Sequence, residues 1–483
     1  MPPYIDSLAL NKTTGLQRLL DNQKQAHLRD GTPSAKTRAD RLSRAIELLL
    51  TNNVSLQESM CEDFGHRCRP LSELVDVAIP VNALRHARKH LKSWMKPSRR
   101  GLEFPLGLVG ARGRVEYQPK GAIGIIAPWN FPVNLCFAPL AGVLAAGNRA
   151  MIKPSEFTPA TSELIVQLVG KYFDADEVHV VTGGADVGAE FSALPFDHLV
   201  FTGSTVVGRQ VMRAAADNLV PVTLELGGKS PVIVGESANI AKAATRIMHG
   251  KVLNCGQICI APDYVLLPEA AKHEFVSQAT AALANMFPIG LLHNHDYTSV
   301  LGQRHYDRLQ AHIDDARLKG AEIISLNPNK EDFSNQSFHK MPPTLIVGAK
   351  DNMTVMQEEV FGPVLPIRLV ENTSAAIDYV NSNSRPLALY FFGTSSEEEQ
   401  QVLQNTVAGG VTVNDIIMHI SQETLPFGGI GPSGMGRYHG HDGFLEFSHH
   451  KSVFKQMPVD ALSFLRPPYG RIFKAYSKYL LKR

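Results

Sequence analysis

The chain has 483 residues, too many for one hydrophobic core, so two or three domains are expected. Its apolar content is ordinary for a globular protein, and a formal charge of +2 with scattered basic residues excludes nucleic acid as the main partner. Five cysteines at irregular spacing exclude a disulfide framework and fit a reducing, cytoplasmic setting, and no apolar run approaches the roughly 20 residues of a membrane helix.

The opening MPPYIDSLALNKTTGL lacks the charged-then-apolar pattern of a signal peptide. Residues 10–100 read as helical: Leu42, Ala45, Leu48 and Leu49 recur at helical spacing, and so do Leu84, Ala87, Leu91 and Trp94. Pro97 closes that region, because proline disfavours helix in the residue before it. Arg114 to Gln118 then alternates like an exposed strand. From Gly121, short apolar runs alternate with helix-length segments: AIGIIA, AMIKP at 150–154, VHVV at 178–181, HLVF at 198–201 and VTLEL at 222–226. Such runs suit strands buried on both faces. Their starts lie roughly 20–30 residues apart, room for one crossover helix each, and the pattern predicts a doubly wound parallel α/β domain. A second series follows at 231–234, 264–267, 344–347, 365–370, 388–392 and 410–413. It predicts a second α/β domain from about residue 227, with Gly227-Gly228 as the hinge. Phe444 to Phe454 reads as a strand. The last segment, Tyr469 to Arg483, is basic with Phe473, Tyr476, Tyr479 and Leu480 on one helical face. It is read as a helix packed on its own domain or on a partner subunit, rather than on a membrane surface.

Three stretches carry chemistry. LNCGQICIAPDY, residues 253–264, holds Cys255 and Cys259. TLELGGKSP at 223–231 holds Glu225, and IIAPWNFP at 125–132 holds Asn130. Thiol, carboxylate and amide are what covalent catalysis on a carbonyl needs: a nucleophile, a base and an oxyanion donor. Other motifs fail. Gly429 to Gly434 spells G-x-G-x-x-G but does not join a buried strand to a helix, and Pro432 interrupts it. Gly228-Lys229-Ser230 lacks the first glycine of a P-loop, and Cys255 with Cys259 is poor zinc spacing. A better anion candidate is Phe201 to Ser204 followed by Gly208, where a strand ends in glycine and a helix begins.

Together APWNFP, AAGNRAMIKPSE, FTGS, ELGGKSP, GQICIAPDY, EEVFGP and PFGGIGPSGMG resemble the aldehyde dehydrogenase superfamily, over about residues 10–455. CIAPDY and the YHG near 438 resemble its class-three branch. The tail LRPPYGRIFKAY and HLVFTGSTVVGRQVMRAAA are most similar to the bacterial coniferyl aldehyde dehydrogenases within that branch. The resemblance implies Cys259 as nucleophile, Glu225 as base, and Asn130 with the Cys259 backbone N–H as oxyanion hole. It implies an NAD or NADP site. In it Lys153 and Glu156 lie by the adenosine ribose, Gly203, Ser204 and Gly208 border the pyrophosphate, and Glu359 and Phe361 hold the nicotinamide ribose and ring. The implied layout is a Rossmann-like cofactor domain with the N-terminal helices (1–226) and a catalytic domain (227–417). A glycine-rich loop and bridging strand (418–455) and a basic tail (456–483) follow. Strands near 112–118 and 444–454 are implied to form a small β bridging element that makes an oligomer, a homodimer being favoured. Ile258 departs from the family's usual threonine before the nucleophile, which should alter substrate fit rather than chemistry. The implied activity is oxidation of a hydrophobic aldehyde, coniferyl-type aromatic or medium to long-chain aliphatic, to its acid. The alternatives are a coenzyme-A-acylating relative, which usually lacks the glutamate base, and a catalytically inactive homologue.

Overall fold

The computed structural model describes residues 15–103, 106–107, 110–457, 460 and 462–481. The first fourteen residues, part of the segment read for a signal pattern, and the last two of the basic tail lie outside them. Helices Gly15–Asp30, Ala35–Thr51, Asn53–Phe64 and Ile79–Trp94 build the N-terminal region. Ala35–Thr51 begins at Ser34, whose Oγ accepts the Thr37 N–H at 3.2 Å and so satisfies one free donor of the first turn. The helix buries Leu42, Ala45, Leu48 and Leu49, and Ile79–Trp94 buries Leu84, Ala87, Leu91 and Trp94, as their spacing predicts. Both helices pack on Asn134–Ala146, which is apolar on every side because every side is covered.

Two twisted sheets lie beyond these helices. In the first the strand order is Gly434–Met435, Val222–Leu226, His198–Gly203, Ala122–Ile126, Arg149–Lys153, Val178–Val180, parallel except for the two-residue Gly434–Met435. The winding reverses at Ala122–Ile126, with later strands added first on one side of it and then on the other. The second sheet runs Glu322–Ser325, Thr344–Val347, Val364–Val370, Tyr264–Pro268, Pro231–Val234, Ala388–Phe392, Gly410–Val413, parallel except for Glu322–Ser325. The chain passes from one sheet to the other between Leu226 and Pro231. Lys229 is fixed in that passage by an ion pair with Asp263 and by the carbonyls of Val355 and Glu358 at 2.8 and 2.9 Å. A third, antiparallel sheet joins Ser98–Arg100, Arg112–Pro119 and Ser448–Lys455, with Ser448–Lys455 at its edge.

One expectation changes, and one strand was missed. Phe444 to Glu446 is helical, within Gly440–Glu446, and the strand begins only at Ser448. Phe444 and Phe447 are fully buried three residues apart, on one helical face that packs on Asn134–Ala146, so tertiary burial overrides their strand propensity. Glu322–Ser325 was not foreseen, because its alternation is too short and half-exposed to register. The tail helix Arg471–Leu481 buries no residue fully, and its Tyr476 ring meets Phe464 of the preceding turn at 5.5 Å. No helix among the described residues is long and apolar enough to cross a membrane.

One buried ion pair holds the start of Asn134–Ala146 in place. Arg67 and Asp76 are both fully buried, 2.6 Å apart. Asp76 sits in a π-helical turn, Glu73–Ala78, and also accepts the N–H groups of Val133 and Asn134 at 3.3 and 3.2 Å. Arg67 donates to the carbonyl of Asn130 at 2.9 Å and lies over the rings of Phe64 and Phe131. Removing one member of such a pair costs about 3–5 kcal/mol, because the other charge stays buried. Arg67→Met is therefore expected to lower the free energy of unfolding by an amount of that order, read as a fall in the urea midpoint. Equal midpoints for Arg67→Met and the parent would show that the pair does not anchor this region.

Candidate active site

Strand register brings the first group of residues to one edge. Ile126 lies level with Lys153 on one side and Phe201 on the other, and Gly203 lies level with Leu226. The loops leaving these carboxyl ends face one crevice, the place where doubly wound sheets bind ligands. Asn130, Lys153, Gly203 and Ser204 come from that edge, and Glu225 is the last residue but one of its strand.

Cys259 arrives from the second sheet, between helix Ile240–Val252 and strand Tyr264–Pro268. The chain turns there through three successive left-handed residues, Asn254 at φ 47°, Cys255 at φ 55° and Gly256 at φ 73°. Gly256 has to be glycine: a Cβ there would overlap the carbonyl oxygen of Gly362. Asn254 and Gln257 hold the turn. Asn254 Nδ2 donates to the carbonyls of Asn130 and Gln257 at 3.1 and 3.2 Å. Gln257 Nε2 donates to the carbonyls of Asn254 and Ser299, each at 3.0 Å. The Asn130 side chain donates to the Gln257 carbonyl at 3.1 Å, so the amide and the thiol-bearing loop are tied directly.

Seven of the predicted residues line one cleft of about 760 Å³: Cys259, Glu225, Asn130, Gly203, Ser204, Glu359 and Phe361. Ser204 caps helix Thr205–Ala216 through its Oγ and the Val207 N–H. The Glu359 carboxylate lies against Gly227, where a Cβ would displace it. Phe361 adopts a left-handed φ of 49° and meets the Trp129 ring edge-on at 5.3 Å. Three predicted residues do not line this cleft. Lys153 is buried and paired with Glu156 at 3.2 Å, and Gly208 lies where a Cβ would collide with Leu226, letting its helix settle on the strand that carries Glu225. Sequence reasoning missed His305 and Arg308, which come from helix Gly302–Leu318. That helix carries no motif. His305 packs on Trp129 at 4.8 Å, and Arg308 Nη1 and Nη2 donate to the carbonyls of Glu359 and Val360 at 3.2 and 2.7 Å.

Cys259 also lines a second pocket, of about 940 Å³ and largely apolar. Its walls come from helices Ile79–Trp94 and Asn134–Ala146, from Ile258 and Ile260 beside the thiol, and from Ile417 and Ile420. Leu135 and Asn134 lie on its rim. The thiol therefore borders two cavities: the cleft that carries the carboxylates of Glu225 and Glu359, and this apolar pocket. The other four cysteines are free as well; Cys255 is fully buried and its Sγ meets the Tyr297 hydroxyl at 3.5 Å.

Burial governs the charges. The Cys259 thiol is pushed up to about 12 by burial and by the carboxylates of Glu359 and Glu225, while the N–H groups of Cys259 and Ile260 favour its thiolate. Burial holds Glu225 well above the usual carboxylate range, against the charge of Arg437. Neither Glu225 oxygen has a hydrogen-bond partner among the described residues. Glu359 is pushed up to about 8 by burial and the Asp263 charge. A buried acid without partners, beside a thiol in a cleft, is the signature of a reaction site rather than of a structural ion pair.

The family described as the aldehyde dehydrogenase family matches residues 9–453. This chain belongs to that family. It is 56% identical over 96% of its length to a probable coniferyl aldehyde dehydrogenase of Caulobacter vibrioides, 96% of which is covered. It is 51% identical over 96% of its length to a coniferyl aldehyde dehydrogenase of a Pseudomonas species, with 95% of that chain covered. Among solved structures, the substrate-bound state of Staphylococcus aureus AldH superposes with a TM-score of 0.91 at 34% identity, covering 97% of this chain and all of the other.

For this aldehyde dehydrogenase the charges predict a pH profile. Burial holds both Cys259 and Glu225 protonated above their ordinary values. Were the thiolate and the carboxylate the working forms, the oxidation rate, read as kcat/KM, would climb with pH from neutrality upward. A rate that falls over that range would contradict the assignment.

Proposed function

We propose that this aldehyde dehydrogenase oxidises coniferyl-type aromatic aldehydes to their acids, with NAD or NADP, through a thioester on Cys259. The observation that carries the reading is that Cys259 lines both the cleft holding Glu225 and Glu359 and the apolar pocket. The pocket suits an aromatic ring and its side chain, and the two coniferyl-named relatives support that substrate over an aliphatic one.

The cofactor reading rests on the cleft. Ser204 engages its own helix end, and the N–H groups of Thr205 and Val206 have no partner among the described residues, which suits a pyrophosphate. Glu359 and Phe361 would hold the nicotinamide ribose and ring, and Lys153 with Glu156 the adenosine ribose. The paired charges of Lys153 and Glu156 offset each other, so neither a 2′-hydroxyl nor a 2′-phosphate is strongly refused. When bound, the nicotinamide supplies the hydride acceptor. The chain supplies the rest. Cys259 Sγ attacks the aldehyde carbon, and the Asn130 amide, with the Cys259 N–H, faces the oxygen that becomes charged; one such donor is worth roughly 3–4 kcal/mol. Glu225 then takes a proton from water, which displaces Cys259 from the thioester. Its presence favours hydrolysis over transfer to coenzyme A.

Two measurements test this. Coniferaldehyde should give a higher kcat/KM than acetaldehyde, since each buried methylene contributes about 0.8 kcal/mol; a preference for acetaldehyde contradicts the substrate reading. Glu225→Gln should slow hydrolysis about 10²–10⁴-fold while leaving one round of hydride transfer, because a general base contributes to the step it serves. Rapid mixing should show a burst of reduced cofactor near one per active site, and mass spectrometry should find the acyl group on the Cys259 peptide. Absence of a burst even at raised pH, where a larger share of Cys259 is thiolate, would remove Glu225 from that role.

A further inference from the structure

The apolar pocket contains a carboxylate that the reaction does not use. Glu423 lines the same cavity as Cys259, opposite a wall built of isoleucine, alanine and leucine side chains. It is half-buried, and its carboxylate has no hydrogen-bond or ion-pair partner among the described residues. Its backbone is fixed: the Glu423 carbonyl lies so close to Gly440, at φ 52°, that a Cβ there would overlap it. The nearby imidazole of His439 lines the pocket too, but burial holds it neutral, at about 4, so it does not neutralise the acid. A cavity meant only for hydrocarbon would lose stability by enclosing such a group, and would gain nothing in affinity. Burial alone pushes Glu423 up to about 7, which reflects that mismatch.

What would satisfy the carboxylate is a neutral ligand bearing one strong O–H donor on an otherwise apolar body. A phenol on a flat ring has that form; an aliphatic aldehyde or a ring capped by an ether does not. We propose that Glu423 sets a preference for aldehydes that carry a phenolic hydroxyl, its carboxylate accepting the hydrogen bond that the hydroxyl donates within the pocket beside Cys259. The proposal rests on the aldehyde-oxidising reading above and adds to it the group that recognises the ring substituent. Glu423 acts on binding and on orientation of the ring, not on the reacting carbon. A site built to bond a hydroxyl discriminates strongly against the analogue that lacks it, because the site's own polar group is then left unpaired.

The test compares 4-hydroxycinnamaldehyde with 4-methoxycinnamaldehyde, which has the same ring and chain without the donor. A hydrogen bond to a charged group predicts a preference for the hydroxyl on the order of 10- to 100-fold in kcat/KM for the unaltered enzyme. Glu423→Leu should abolish that preference, mainly through KM for the hydroxy aldehyde, while keeping or improving oxidation of the methoxy aldehyde. Glu423→Gln, whose amide oxygen still accepts, should keep part of it. A preference that survives in Glu423→Leu overturns the proposal, and so does a parallel loss on both aldehydes, which would mark a structural role. If the leucine variant does not fold, the unaltered enzyme still decides: no preference between the two aldehydes overturns the proposal. Failure of the underlying reading looks different, since no reduced nicotinamide would form with either aldehyde.

Discussion

The site depends on a backbone contact between two loops of the second sheet. Gly256 lies against the carbonyl of Gly362 with no room for a side chain. Gly256 ends the left-handed turn that precedes Cys259, and Gly362 follows Phe361, itself left-handed. Left-handed backbone at non-glycine residues is uncommon and persists only where the surroundings enforce it. Here amide side chains enforce it. Asn254 and Gln257 spend their hydrogen bonds on main-chain carbonyls, and the Asn130 amide joins them from the first sheet. The geometry of the thiol is thus set by polar contacts beneath it, leaving Cys259 itself free to face two cavities.

Low dielectric ties the remaining parts together. Glu225 and Glu359 line one cleft with the thiol, and Glu423 lines the other pocket that the thiol borders. Each is held above the usual carboxylate range chiefly by burial. Glu359 accepts the Gly228 N–H, whereas Glu225 finds no hydrogen-bond partner among the described residues, and an unpaired buried acid destabilises a fold, so stability is supplied elsewhere. The contrast with Arg67 and Asp76 is instructive. That pair is also buried, yet every contact is satisfied by a partner, and it serves to anchor the Asn130 segment.

Much of the fold was legible because burial on both faces writes itself as uninterrupted apolar runs. Strands such as Ala122–Ile126 and Ala388–Phe392 are wholly buried and were found directly. Glu322–Ser325 was not, since an edge strand with two half-exposed isoleucines looks like a loop. Phe444 was misread because an aromatic residue near a strand carries the same local signal whether it faces a sheet or a helix. Its neighbour Phe447, packed under Gly142, decides the matter from far away in sequence.

The sequence by itself determined the chemistry: a thiol, an acid and an amide, each in a short stretch whose neighbours are small or apolar, together with the family that these stretches resemble. Residue type suffices there, because reactivity at a carbonyl needs those groups and few others. Only the tertiary structure decided which groups meet. His305 and Arg308 join the cleft from a helix with no motif, while Lys153, Glu156 and Gly208 stand back from it. Glu423 faces the thiol's apolar pocket across more than 160 positions of chain. Such meetings are fixed by strand order and loop packing, which link residues distant in sequence and leave no trace in the residues on either side.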